Sequence, residues 1–62
     1  MSECFVKAKA PQYKYFMFVT PRGGLNRLRI HAATFRDEQT AQATIDMNAA
    51  SRPDWQWKVV PA

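Results

Sequence analysis

The pattern of apolar and polar positions predicts a β-hairpin centred on Gly23-Gly24. Residues 13–20 form the most apolar run of the chain, and residues 27–33 alternate between basic and apolar side chains. Such a period of two is typical of strands that bury one face. Two glycines suit the centre of a tight type I′ turn because both central residues need positive φ. We therefore expect an antiparallel pair in which Val19 faces Leu28 and Phe18 faces Arg29.

The two faces of this hairpin differ in chemistry. One face is apolar and is expected to form the core together with two tryptophans of a later strand: Tyr15, Met17, Val19, Leu28, Ile30, Trp55 and Trp57. The other face pairs Thr20 with Arg27, Phe18 with Arg29 and Phe16 with His31, so it interleaves aromatic rings with cations. A register slip of one residue would exchange the faces, so the assignment depends on the turn.

A helix and a final strand follow the hairpin. Thr34, with Asp37 three residues later, predicts a helix start, and the helix is expected to run to about residue 50. Residues at i, i+4 and i+8 form its inner stripe, namely Ala41, Ile45 and Ala49. Pro53 ends the helical region. Residues 55–60 alternate as a last strand that places Lys58 on the aromatic and cationic face.

These elements predict an α+β fold of two layers. The antiparallel sheet has three strands in the order 2-1-3, with residues 13–20 in the centre, and one helix packs on one face. Residues 1–12 admit two interpretations, a mobile basic arm or a fourth strand at the sheet edge whose lysines protect that edge. The 62 residues are expected to form a single domain.

Composition limits the function classes. One cysteine, Cys4, allows no internal disulfide and no cysteine-based zinc site. The chain has no apolar run of the ~20 residues needed to span a bilayer, and its start lacks a signal-peptide pattern. We therefore expect a cytoplasmic protein without a membrane partner. A formal charge of +4 suits nucleic acid or an acidic protein surface as partner.

The aromatic and cationic face is the candidate partner-binding site, together with the turn arginine: Lys14, Phe16, Phe18, Arg22, Arg27, Arg29, His31 and Lys58. Three uses stay open, namely a protein interface, stacking of single-stranded bases, and cover by the N-terminal segment or a second copy of the chain. The single histidine has no carboxylate partner in this register, and no nucleophile–base set or metal-ligand cluster is visible. Neither an enzymatic activity nor a cofactor is predicted.

Residues 28–61 resemble small phage-encoded host-takeover proteins, in outline the podovirus inhibitors of host RNA polymerase. The shared outline is a strand ending in Ala-x-Thr, a helix that starts with acids, a proline-containing turn and an aromatic-led last strand that ends at a proline. The resemblance implies a three-stranded sheet with one helix that clamps a host enzyme by surface contacts. Val59 and Val60 stand where that inhibitor carries an arginine pair, and its acidic patch has no counterpart here.

The expected function is accordingly a non-enzymatic, phage-type protein that docks on and inhibits a host protein of the nucleic-acid machinery, either RNA polymerase or a defence complex. The alternative is a small single-stranded nucleic-acid-binding protein that uses the same face. A homodimer through this face is the third possibility.

Overall fold

The computed structural model describes residues 3–62 and shows an α+β arrangement of one helix on one antiparallel sheet. The elements are β1 (Cys4–Lys9), β2 (Met17–Val19), β3 (Leu25–Asn26), a 3₁₀ helix (Arg29–His31), α1 (Glu38–Ala49) and β4 (Gln56–Pro61). The sheet has four strands in the order β3-β2-β1-β4, and α1 packs against β1 and β4. No helix in the described part of the chain is long and apolar enough to cross a membrane.

The central strand is β1, so the fourth strand, one of the two interpretations of the N-terminal residues, is confirmed, but it lies inside the sheet and not at its edge. The sheet accordingly has four strands and not three. Along its whole length β1 pairs with β4, from Cys4–Pro61 to Lys9–Gln56. On its other side it pairs with β2. The predicted order 2-1-3 is also wrong, because β1 inserts between the hairpin and the last strand. Met1 and Ser2, which the expectation included, lie outside the described residues.

The hairpin adopts a different register from the predicted one. Val19 faces Leu25 instead of Leu28, a slip of three residues. The Thr20 N–H donates to the Gly24 carbonyl at 2.9 Å, and the Gly23 N–H donates to the Thr20 carbonyl at 3.0 Å. Within residues 3–62 only Gly23 has positive φ, at 85°, so a type I′ pair of positive-φ residues does not form. An odd slip exchanges the faces of the second strand, and the predicted pairings of Arg27, Arg29 and His31 are lost.

The second hairpin strand is short because the Asn26 side chain competes with the backbone hydrogen bonds that would continue the strand pairing. The Asn26 Oδ1 accepts a hydrogen bond from the Leu28 N–H at 2.7 Å, an Asx turn that leads the chain out of the sheet and into the 3₁₀ helix. Consequently Leu28 is 56% exposed and Ile30 is 85% exposed. Tyr15, just before β2, is 45% exposed. The predicted core positions of these three residues are therefore wrong.

The core lies between α1 and the sheet. Ala41 and Ile45 of α1 pack against Cys4 and Val6 of β1. Partly buried side chains complete this cluster, namely Val19, Phe35, Trp57 and Val59. Two residues of the predicted inner stripe of the helix are thus confirmed as buried.

The helix begins later than predicted because the preceding segment is held in the sheet. The Phe35 N–H and C=O each bond to Cys4 at 2.8 Å, which keeps the backbone extended at that point. The N-cap is therefore Asp37 and not Thr34. The Asp37 Oδ1 accepts from the Thr40 N–H at 2.8 Å, a standard N-cap hydrogen bond.

Candidate functional site

The sheet surface opposite α1 carries the predicted mixture of rings and cations. Residues of β1 alternate across the sheet, so Phe5 and Lys7 lie on the face opposite the buried Cys4 and Val6. Their cross-strand partners on β2 and β4 share that face. We call this surface the aromatic–cationic face and define it by Phe5, Lys7, Phe16, Phe18, Arg29 and Lys58.

Each phenylalanine of this face lies beneath a cation. The Lys7 Nζ is 4.8 Å from the Phe18 ring centroid, and the Lys58 Nζ is 4.3 Å from that of Phe16. The Arg29 Cζ is 5.2 Å from the centroid of Phe5. All three distances fall within the ~6 Å range of attraction between a cation and an aromatic face. The rings therefore anchor the cations in fixed positions on the surface.

The rings also form a thin second apolar layer. Phe5 is only 9% exposed, and Phe16 and Phe18 are partly buried. Phe5 and Phe18 meet edge to face with centroids 5.5 Å apart and planes at 85°. Such a pair contributes about 0.5–1.5 kcal/mol beyond its buried area. A partner approaching this face first meets the charged groups and then the rings.

The cations over the rings have no acidic partner among the described residues. No Asp or Glu lies between Glu3 and Asp37, whereas that interval contains Lys7, Lys9, Lys14, Arg22, Arg27, Arg29 and Arg36. Within residues 3–62 the one ion pair is between Arg36 and Asp37, at 3.5 Å. The cations over the rings thus keep their charge for an anionic partner. This acid-free interval was visible in the sequence, but the prediction considered only the net charge.

The structure brings half of the predicted site residues together. Phe16, Phe18, Arg29 and Lys58 meet on the aromatic–cationic face as predicted, although Arg29 reaches it from the 3₁₀ helix and not from a strand. The others lie apart. Arg27 covers the exposed Tyr15 ring at 4.4 Å, Lys14 and Arg22 are exposed in the segments that flank β2, and His31 lines a shallow depression beside Arg22.

Phe5 and Lys7 were missed because β1 was expected at the edge or in an arm. Residues 4–9 alternate as a strand does, but alternation cannot show which strand lies between which neighbours. The pairing of Lys7 with both Phe18 and Lys58 requires β1 in the centre.

Two exposed aliphatic residues flank one cation of this face along the chain. Leu28 and Ile30 flank Arg29 in sequence, and the Arg29 side chain extends to the Phe5 ring. Single exposed aliphatic residues are common on proteins. Here both occupy one short segment that also carries Arg29, so exposed apolar residues and a cation adjoin along the chain.

The single thiol of the chain, that of Cys4, lies in the core and not on the aromatic–cationic face. Burial raises the pKa of the Cys4 thiol, and the carboxylates of Glu38 and Asp37 raise it further. The thiol is thus protonated at neutral pH and faces the core. Among the described residues, no group of three or more His, Cys, Asp or Glu side chains could hold a metal ion.

Comparison with known proteins adds no constraint on these assignments. No family model, curated protein or solved structure matches this chain. The resemblance to phage host-takeover proteins therefore stays a prediction.

Proposed function

We propose that this protein is a non-enzymatic binding protein that docks on an acidic protein surface. The contact comprises the aromatic–cationic face and the adjacent side chains of Leu28 and Ile30. The observation that carries the proposal is that two exposed aliphatic residues, Leu28 and Ile30, flank in sequence a cation of the face, Arg29, that has no acidic partner among residues 3–62. With the resemblance to host-takeover proteins, the partner is a host protein of transcription or defence, and docking inhibits it.

The aliphatic side chains favour a protein partner over nucleic acid. Ile30 is 85% exposed, so an apolar pocket on a partner would remove most of its surface from water. A few anchor residues buried near the centre of an interface supply most of its affinity, whereas the surrounding charges mainly raise the association rate and fix the orientation. Arg29 links the aliphatic residues to the cations of the face because it follows Leu28 and precedes Ile30 in the sequence.

Single-stranded nucleic acid is the second candidate, supported by the acid-free interval of the sequence. Cations in such a surface neutralise phosphates. Base stacking needs free ring faces, however, and Phe5, Phe16 and Phe18 each have a cation over one face. A base would have to displace that cation from its ring.

The first experiment is affinity capture from a nuclease-treated bacterial lysate with three versions of the chain. These are the wild type, the double variant Leu28→Ser/Ile30→Ser, and Met47→Ser as a matched control. Met47 is 79% exposed on α1, so its substitution removes a similar apolar surface at another place. We expect one acidic protein to be retained by the wild type and the control and lost by the double variant. Equal retention by all three versions would contradict the proposal.

A second measurement separates the two classes of partner. Binding of a fluorescein-labelled dT20 oligonucleotide is followed at ~50 mM and ~200 mM salt. Three phosphate contacts, one for each cation of the face, predict a fall in affinity of about 20-fold over this range. Tight dT20 binding with such a fall, together with loss of every captured protein after nuclease treatment, would establish the second candidate instead.

A further inference from the structure

A cavity of about 240 Å³ opens between the β2–β3 hairpin and the last turns of α1. We propose that this cavity binds a small aromatic carboxylate. The cavity lies on the helix side of the sheet, opposite the aromatic–cationic face, so this ligand is distinct from the macromolecular partner proposed above. The cavity exists because α1 packs against β1 and β4 and leaves a gap over the hairpin.

The walls of the cavity are of two kinds. The sheet side is apolar and aromatic, with Val19, Leu25, Phe35 and Trp57. The helix side is a polar stripe formed by Thr44, Asn48 and Arg52, at i, i+4 and i+8. A mostly apolar site with a few polar groups on one side is the usual design of a small-ligand pocket. The ligand should therefore have an apolar body and one polar end.

The polar stripe is held in place by its own hydrogen bonds. The Asn48 Nδ2 donates to the Thr44 carbonyl at 2.8 Å, and the Arg52 Nη1 donates to the Asn48 Oδ1 at 3.1 Å. The guanidinium of Arg52 also lies over the Trp55 ring at 5.0 Å. Trp55 in turn stacks on Trp57, with centroids 5.6 Å apart and planes at 25°. The orientation of the guanidinium is thus fixed before any ligand arrives.

The charge of the cavity selects an anion. Arg52 is the one charged residue among the described residues that line it, and no carboxylate of residues 3–62 pairs with it. A guanidinium has five N–H donors, so donors remain for a bidentate carboxylate. The negative end of α1 opposes an anion only weakly here, because the Asn48 carbonyl already accepts from the Ser51 and Arg52 N–H groups at 3.2 and 3.1 Å.

Size and shape narrow the ligand class. A cavity of about 150 Å³ holds benzene, so 240 Å³ suits a body of two fused rings. The flat surfaces of Trp57 and Phe35 favour an aromatic body over a branched aliphatic one.

The test is an NMR titration of the full chain with 2-naphthoate. The indole N–H signals of Trp55 and Trp57 and the Nε–H signal of Arg52 report on the cavity. The neutral isostere 2-naphthalenemethanol and the variant Arg52→Gln each remove the charge interaction from one side. Ala33→Leu narrows the cavity without removing charge, and Lys58→Gln removes a cation from the opposite face.

We expect saturable shifts of the Trp57 and Arg52 signals with 2-naphthoate. Affinity should fall at least ~10-fold for the alcohol and for Arg52→Gln, since hydrogen bonds to charged groups are worth about 1.5–3 kcal/mol. Ala33→Leu should abolish the shifts, and Lys58→Gln should leave them unchanged. If circular dichroism shows that Arg52→Gln does not fold, the proposal is tested by the affinity of the alcohol for the wild type and by the loss of the shifts in Ala33→Leu. Absence of saturable Trp57 shifts, equal binding of acid and alcohol, or loss of binding in Lys58→Gln would overturn the proposal.

Discussion

Replacing Phe18 by alanine tests whether the aromatic–cationic face is a packed layer or a loose surface. Phe18 is partly buried in β2, lies edge to face against Phe5, and has the Lys7 ammonium 4.8 Å above its ring. The sequence analysis placed Phe16 and Phe18 on the partner-binding face, opposite the predicted core. The structure now predicts that Phe18 contributes to folding, which is why the binding test above uses Leu28 and Ile30.

The magnitude follows from burial. A fully buried Phe→Ala substitution costs about 3–5 kcal/mol, and the partial exposure of Phe18 lowers the expected cost to about 2–3 kcal/mol. At roughly 0.05–0.15 kcal/mol per residue, a chain of 62 residues has a total stability of about 3–9 kcal/mol. The substitution should therefore remove about a fifth or more of the stability. With an m-value near ~1 kcal/mol/M, the urea midpoint should fall by about 2–3 M.

Tyr15→Ala is the matched control. Tyr15 also lies beneath a cation, with the Arg27 Cζ at 4.4 Å, but it is 45% exposed and precedes β2. An exposed cation–π contact contributes about 0.5–1 kcal/mol, so its loss should shift the midpoint by less than about 1 M. A double-mutant cycle with Phe5→Ala should give a coupling energy of about 0.5–1.5 kcal/mol for the ring pair. A Phe18→Ala shift no larger than that of Tyr15→Ala would refute the packed-layer interpretation.

Three further predictions concern the helix, the turn and the cap. Ile45→Ala should cost about 2–4 kcal/mol in urea unfolding because Ile45 is 6% exposed, whereas Met47→Ala, at a site 79% exposed, should cost less than ~0.5 kcal/mol. Gly23→Ala should destabilise by about 1–2 kcal/mol, since φ is 85° although a Cβ would meet no atom within 4 Å. Gly24→Ala should stay within ~0.5 kcal/mol, and equal costs for the two glycines would contradict the turn assignment. The hydrogen bond that the Asp37 carboxylate accepts from the Thr40 N–H holds the pKa of that carboxyl below its ordinary value. Its stabilisation is therefore complete above the unfolded pKa of ~3.9 and is lost as the pH falls through the lower folded pKa. Urea midpoints at about pH 7 and about pH 2.5 should accordingly show an acid-dependent loss in the wild type that is smaller in Asp37→Asn.

Local periodicity was sufficient for the α+β class and for much of the placement of residues on faces. Alternation placed Phe16, Phe18 and Lys58 on one face, and the structure confirms their proximity. The helical spacing of Ala41 and Ile45 also identified side chains that are buried. These features depend only on residues close in sequence, where the strand period of two and the helix period of 3.6 operate directly.

Strand order and hairpin register depend on interactions that periodicity does not encode. Two local hydrogen bonds to side-chain oxygens decide the register: the Asn26 Oδ1 accepts from the Leu28 N–H, and the Thr20 hydroxyl accepts from the Gly24 N–H at 3.1 Å. Such bonds compete with the backbone hydrogen bonds between the two strands of the hairpin. A Gly-Gly turn centre alone does not show which register results from this competition. The central position of β1 was obscured by Lys7 and Lys9, because lysines usually protect edges. In this fold Lys7 extends over Phe18 instead.

The geometry of β4 favours binding through the sheet face over pairing with the sheet edge. The Ala62 N–H donates to the Glu3 carbonyl at 3.0 Å, so the even-numbered residues of β4 direct their backbone groups toward β1. The odd-numbered residues then direct theirs outward, and Pro61 among them has no N–H to offer. Only Trp57 and Val59 present outward donors along the strand, which is too short a ladder for a firm added strand or for edge-to-edge pairing of two copies. A partner gains more from the anchored cations and the exposed aliphatic pair, and so the proposed docking uses side chains and not the backbone.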